Sequence, residues 1–482
     1  MSASDDILML ADFGGRLDAV HSQPELRLAL QIEMVDQADR GARGLLDGME
    51  ARYFAGDAGT EQADQALVSG PIALYCAQRE AAYIHLVRQF QTFSQGWAEA
   101  ADTVPMIVAR ALRATSMRLK WQLMRYLPVE KDIWQTLSQL WAFVEDKGME
   151  RARVVVYDDR STLPREFVKP LILSVSAADS LPALEVEIAF RVIEYLADRF
   201  EFQRHPGKSS NFFIDIDRWT APERFTPVSV VRPGARFFGA GRIMDQIDEL
   251  VAQVAVGEIL PSEMNLEGLG DMGAVIHALE HLGRHWWARR PERRTERRRS
   301  LTQIGVVHGF DAILQQFSTD DISGQKLPVA ENWNVDNESE DGYGAMLPAG
   351  RGDWLHVGKI IALKPADSRI WAVGIVRRLA AQQDGQRNIG IELLARGARP
   401  VTLRRRSDAG QTWKALLLPA HSGGDASLGE VSLLLPVGCF LPDSSLEMEV
   451  YSTGYILEPR LLLEHGTEFE MARYRILQRA DT

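Results

Sequence analysis

Apolar and polar positions divide the chain into a helical first part and a strand-rich last part. Ile72, Tyr75, Cys76, Tyr83, Leu86, Val87 and Phe90 recur at spacings of three and four, interrupted only at Arg79. That is the pattern of a helix burying one face in a bundle. Ile107, Val108, Ala111, Leu112, Leu119 and Leu123 repeat it, as do Ile133, Trp134, Leu137, Leu140, Trp141 and Val144. Only Pro24, Pro71, Pro105 and Pro128 interrupt this stretch, so residues 1–150 are expected to form a helical domain. Residues 151–286 read as a helix-dominated mixed region. Helices are expected over 183–200, with Pro182 suited to the first turn, and over 243–256 and 272–287; strands are expected over 153–157 and 211–217.

Beyond 286 the texture changes to short apolar segments at 304–307, 313–314, 358–363, 370–376, 389–394, 413–418 and 431–435. Turn signals such as Lys364-Pro-Ala-Asp367 and Gln383-Asp-Gly385 separate them. Many short strands joined by turns imply an antiparallel barrel or sandwich. The fold class expected is therefore α+β multidomain: a helical N-terminal region, an antiparallel β-barrel over 287–400, and a β-rich C-terminal extension of the barrel over 401–482. A second β module is the alternative for those last residues.

Composition narrows the function classes. A length of 482 residues fits two to four domains with real cores. Two distant cysteines, Cys76 and Cys439, exclude a cysteine-rich zinc module or a disulfide scaffold. Met1-Ser-Ala-Ser-Asp-Asp6 lacks the basic region of a secretory signal, and no apolar run is long enough to span a bilayer. A cytoplasmic protein is expected. The net charge of −12 argues against a surface that coats nucleic acid. Yet residues 284–299 hold eight arginines and two glutamates, six net positive charges in an otherwise acidic chain.

Three other motifs invite an enzymatic reading. His277-Ala-Leu-Glu280-His281 fits the H-x-x-E-H zinc pattern. However, a stripe of Met272, Val275, Ile276, Leu279, Leu282 and Trp286 puts His277, His281 and His285 on the opposite face, toward solvent or a partner. Asp215-Ile-Asp217 reads as the wet face of a strand. Gly234, Gly239 and Gly241 match no phosphate-binding glycine fingerprint. No metal or cofactor is expected, and no catalysis.

The arginine run reads Arg289-Arg-Pro-Glu-Arg-Arg-Thr-Glu-Arg-Arg-Arg299 and precedes the first strand of the β-rich part. The spacing R-R-x-x-x-R occurs twice, at Arg289-Arg290…Arg294 and at Arg293-Arg294…Arg298. Downstream, Asn337-Glu-Ser339-Glu-Asp-Gly342 has the spacing N-x-S-x-x-G. Over roughly residues 289–400 this order resembles the PilZ domain family, bacterial receptors for cyclic di-GMP. That family sets an R-x-x-x-R segment before a six-stranded barrel that carries [D/N]-x-S-x-x-G. Segments 354–363, 372–378 and 388–394 resemble its later strands. Residues before 289 carry no family motif, and the 39-residue gap from Arg298 to Asn337 implies an inserted loop over 318–332.

The resemblance implies a cyclic di-GMP-binding receptor or effector that couples the second messenger to a protein partner of the helical region, as in control of motility or biofilm. Arg294 and Arg298 would form the R-x-x-x-R pair with Arg293 beside them; Arg290 with Arg294 is the other register. Asn337, Ser339 and Gly342 would complete the ligand site, Gly342 by letting the backbone pass close to the ligand. Arginine suits this ligand because its planar fork grips a guanine O6/N7 edge and pairs with phosphate. The rival readings are a scaffold whose PilZ-like barrel binds no nucleotide and an Arg-rich nucleic-acid-binding regulator, which the acidic remainder of the chain disfavours.

Overall fold

In a computed structural model, residues 3–23, 26–54, 61–92, 102–226, 228–229, 231–287, 296–318, 328–405, 408–419, 429–450 and 453–479 are described. The chain forms two compact units, residues 1–292 and 293–482.

The first unit is built on helices α1 (Ala3–His21), α2 (Leu28–Phe54), α3 (Glu61–Thr92), α4 (Val104–Met124) and α5 (Lys131–Asp146). A hairpin of β1 (Arg153–Val156) and β2 (Asp159–Thr162) leads into α6 (Leu163–Val175) and α7 (Ala183–Leu196). A small antiparallel sheet in the order β3-β6-β4-β5 follows, made of Glu201–Gln203, Ala235–Gly239, Phe212–Asp215 and Glu223–Arg224. Helices α8 (Ile243–Ala255) and α9 (Met272–Trp286) complete the unit. Residues from before and after position 150 share one continuous apolar core, from Leu10 and Val35 through Trp121 and Phe167 to Leu282 and Trp286. Local signals set the helix starts: Thr162 Oγ1 accepts the Arg165 amide at 3.3 Å, and Asp271 Oδ1 accepts that of Ala274 at 2.8 Å.

That core contains charge, and the charge is paired. Fully buried Glu166 accepts from Arg113 at 2.7 Å, Lys169 at 3.0 Å and Ser161 at 2.5 Å. Burial alone would raise the Glu166 carboxyl, but the two cations more than offset it and hold it at about 2. Buried Lys120 bonds Glu187 at 2.7 Å. Asp39 accepts from Tyr83 at 2.6 Å and from Tyr157, the left-handed residue at the tip of the β1–β2 hairpin.

Of the H-x-x-E-H segment, His277 is exposed as expected, but His281 is not. His281 is buried, with Nε2 2.7 Å from the Ser176 carbonyl, while His277 Nδ1 lies 2.6 Å from Glu185. Met272 is exposed, so counting it in the stripe rotated the apolar face away from His281. Asp215 is likewise buried rather than on a wet face, 3.6 Å from Arg232.

The second unit begins with a two-residue strand, β7 (Arg298–Arg299). Strands β8 (Gln303–His308), β9 (Glu331–Ser339), β10 (Gly342–Leu347), β11 (Ile360–Pro365), β12 (Ala372–Ala381) and β13 (Arg387–Arg396) close a barrel in the order β8-β9-β10-β13-β12-β11. The 313–314 segment expected to be extended lies in helix α10 (Phe310–Ser318), where Phe310, Ile313, Leu314 and Phe317 are spaced as one helical face.

Strands β14 (Arg399–Arg405), β15 (Asp408–Leu418), β16 (Glu430–Leu435), β17 (Leu446–Val450), β18 (Thr453–His465) and β19 (Glu470–Arg479) close a barrel of their own. Its order, β14-β15-β16-β19-β18-β17, repeats that of the first barrel strand for strand. Only Gly397 and Ala398 separate the two barrels along the chain. One apolar cluster joins them through α10, with Ile313 among Ile360 and Val373 of the first barrel and Leu416, Leu434 and Phe469 of the second. Arg377 of β12 braces the junction, donating at 2.6 Å both to Glu392 and to Glu464 of β18.

Two expected outcomes follow for the helical unit. Lys169→Ala leaves the Glu166 charge short of one buried partner and should cost about 3 kcal/mol, measured by denaturant unfolding. His281 is held down at about 3 by burial and by the adjacent His285, below its unfolded value near 6.5. The unfolded chain therefore binds the extra proton between those values, and stability falls as pH drops from about 6.5 toward 3. His281→Asn should flatten that slope; an unchanged slope would contradict the assignment.

Candidate functional site

Strand pairing brings the arginine segment and the N-x-S-x-x-G segment together. β9 pairs with β8 along its first half, Gln303 opposite Asn334 and Ile304 opposite Trp333. Farther along the same edge, β7 places Arg298 opposite Glu338 and Arg299 opposite Asn337. Between the two strands the Ser300 amide donates to Asp336 O at 3.1 Å and the Val335 amide to Thr302 O at 2.9 Å. The end of the arginine run is thus a continuation of the first barrel strand. Arg298 and Arg299 are both exposed, and among the described residues neither has an ion-pair partner. Arg290, Arg293 and Arg294 lie outside the described residues.

The β9–β10 hairpin carries the other motif. Ser339 donates to Gly342 O at 3.3 Å across the turn. A Cβ on Gly342 would meet Ile391 O of β13 at 2.0 Å. This glycine is required by the close approach of β10 to β13, a different reason from passage near a ligand. A Cβ on Gly344 would lie 2.5 Å from Asn337 Nδ2, so the bare backbone of Gly344 makes room for the Asn337 amide. Asn337 Oδ1 is buried and without a hydrogen-bond partner among the described residues. A buried acceptor left unmade costs about 1–3 kcal/mol, which an incoming donor would recover. Gly344 extends the motif to N-x-S-x-x-G-x-G, a signal present in the sequence but not read from it.

An open cleft of about 750 Å³ lies against this hairpin, within the range usual for small-molecule sites. Arg298, Glu338, Ser339, Glu340 and Tyr343 form one wall, with Glu296 and Thr302 beside them. The β11–β12 turn, through Pro365, Asp367 and Ser368, and Arg396 at the end of β13 form the other. Of the expected residues the cleft therefore brings together Arg298 and Ser339; Asn337, two residues before Ser339 on β9, packs its amide against Gly344 next to them. The second wall was not anticipated, because only barrel closure brings β11–β13 to this side. Among its described lining residues, four carboxylates face two guanidiniums.

No group of three potential metal ligands exists among the described residues, and no described helix is long and apolar enough to cross a membrane.

Comparison with known proteins supplies two family matches. Residues 6–207 match the N-terminal domain of the cyclic-di-GMP receptor FimW, so the helical part, which carried no recognised motif, has a counterpart as well. Residues 315–400 match the middle PilZ domain of that receptor. The cyclic-di-GMP receptor FimW of Pseudomonas aeruginosa PAO1 is 28% identical over 109 residues, 22% of this chain. That alignment spans 17% of the relative's own length. The match over 315–400 runs from within α10 to the start of β14 and takes in the N-x-S-x-x-G hairpin. By its barrel, its motif and this match, the first barrel is a PilZ domain.

Proposed function

We propose that this protein is a cyclic di-GMP receptor that works by binding and not by catalysis. Its first barrel takes the ligand in the cleft between the arginine arm and the Asn337–Gly342 hairpin. The observation that carries this reading is the pairing of Arg298 and Arg299 with Glu338 and Asn337, which sets guanidinium groups beside the N-x-S-x-x-G turn. Arg298, with Arg290, Arg293 and Arg294 from the arm, grips phosphates and guanine O6/N7 edges. Ser339 and the unsatisfied Asn337 oxygen take up base or ribose donors. The likeness to FimW, named as a receptor for this ligand, supports the same reading. The ligand needs no cofactor to bind, and its action is in the cytoplasm.

The second barrel repeats the fold without the arm. Two residues between β13 and β14 leave no length for a counterpart of β7. One ligand site per chain is therefore expected, on the first barrel.

The output passes through residues 286–300 to the helical unit, which carries the surface for a protein partner. At one end of the arm the last carbonyls of α9 are clamped: Arg224 donates to Trp287 O at 2.7 Å and to His285 O at 2.8 Å, and Asn211 donates to Trp286 O at 3.0 Å. At the other end it is fixed by pairing on β9. A chain of like charges between two anchors repels itself, and a dianionic ligand relieves that repulsion and selects one arrangement.

Thermal unfolding tests the binding. Cyclic di-GMP at about a hundred times its dissociation constant should stabilise the protein by about 2.7 kcal/mol, while GMP and GTP do not. Arg298→Ala and Asn337→Ala should each lose most of that shift with the ligand-free Tm little changed. No shift with wild-type protein at high ligand would retire the receptor reading. Hydrogen exchange tests the switch: ligand should slow exchange over residues 286–300, and unchanged exchange there would refute it even with binding established.

A further inference from the structure

The acidic character of the cleft needs an explanation if its occupant is a dianion. Four lining carboxylates raise the cost of a phosphate diester unless they meet hydrogen-bond donors of the ligand. Guanine offers such donors. Besides its O6/N7 acceptor edge it carries N1–H and N2–H₂ on the opposite edge, a pair that one carboxylate accepts side by side. Adenine has neither an N1–H nor a 2-amino group.

The wall formed by the β11–β12 turn and the end of β13 has the complementary groups. Asp367 is exposed at the turn, and Arg396 pairs through its backbone with Ala372. Both line the cleft, and among the described residues neither is held in an ion pair or side-chain hydrogen bond. The turn that presents Asp367 is pinned. Ser368 N donates to Pro365 O at 3.0 Å, Ser368 Oγ donates to Ile370 O at 3.2 Å, and the Ile370 amide returns to that Oγ at 3.1 Å. A carboxylate on such a turn is held ready before the ligand arrives, which lowers the ordering cost of binding.

Resting on the receptor reading above, we propose that Asp367 and Arg396 form a guanine-selecting wall: Asp367 accepts N1–H and N2–H₂ of one base, and Arg396 donates to O6 and N7 of that base. The arm and the β9–β10 hairpin hold the phosphates and the other base. Selectivity for guanine over adenine then resides on the side of the cleft away from the R-x-x-x-R and N-x-S-x-x-G segments.

Titration calorimetry of the full-length protein with cyclic di-GMP and cyclic di-AMP tests this, because simple electrostatics and base reading predict opposite signs. Removing a negative charge beside a dianion tightens binding of both ligands. On the proposal, Asp367→Asn and Asp367→Ala weaken cyclic di-GMP by about 5- to 150-fold, the range for a bidentate base contact. They leave cyclic di-AMP unchanged or tighter, so the guanine preference narrows. Arg396→Lys, which keeps the charge but not the fork, should weaken cyclic di-GMP nearly as much as Arg396→Ala. Both positions are exposed, so the ligand-free Tm should hold. Tighter or unchanged cyclic di-GMP binding in the Asp367 variants overturns the guanine wall and leaves the receptor reading intact. Failure of the wild-type protein to bind cyclic di-GMP removes both.

Discussion

The pairing of a two-residue strand with the end of β9 is the constraint on which the site depends. In sequence Arg298 and Asn337 are 39 residues apart, and nothing local holds either one near the other. β8 and β9 are joined by hydrogen bonds at their core end, where Ile304 and Trp333 are buried opposite each other. Because successive side chains of a strand alternate between faces, a slip of one residue would turn a different arginine toward the cleft. The buried face of β8 and β9 makes that slip costly, so the core of the barrel fixes which guanidinium is presented at its rim.

The two units are stabilised in different ways. The helical unit buries ionised groups among apolar ones, with Glu166 held by Arg113, Lys169 and Ser161, Lys120 by Glu187 and Glu50, and Asp39 by Tyr83, Tyr157 and Arg79. Such pairs add little net stability compared with apolar packing, but removing one partner is severe, so they penalise alternative packings. The tandem barrels share an apolar cluster through α10 and an Arg377–Glu464 brace. The identical strand order of the two barrels, one with an arginine arm and one without, fits a division of roles in which one binds and the other supports.

Much of this was legible from spacing alone. The helices around Ile72–Phe90, Ile107–Leu123 and Ile133–Val144 follow the three-and-four pattern, and the barrel strands follow their short apolar runs. Of the residues on which the PilZ resemblance rested, the structure puts Arg298 and Ser339 on one cleft, while Arg290, Arg293 and Arg294 lie outside the described residues. What the sequence could not show was tertiary. His281 is buried because the Ser176 carbonyl, 105 residues away, offers its nitrogen a partner. Gly342 serves β13, a strand that only barrel closure brings near. Asp367 and Arg396 reach the cleft for the same reason, and no motif spacing links them to Arg298. Ile313 and Leu314 were misread for a local reason: a two-residue apolar run is too short to distinguish strand from helix until Phe310 and Phe317 are counted with it.

The central claim is that the cleft between the arginine arm and the Asn337–Gly342 hairpin is where a cyclic dinucleotide sits. A crystal structure of the full-length protein with cyclic di-GMP tests it most directly. The account predicts ligand density between Arg298 and Ser339 on one side and Arg396 on the other, with Arg298 and Arg299 still paired to β9. Density at the second barrel, or a ligand bound with Arg298 turned away from it, would contradict the account.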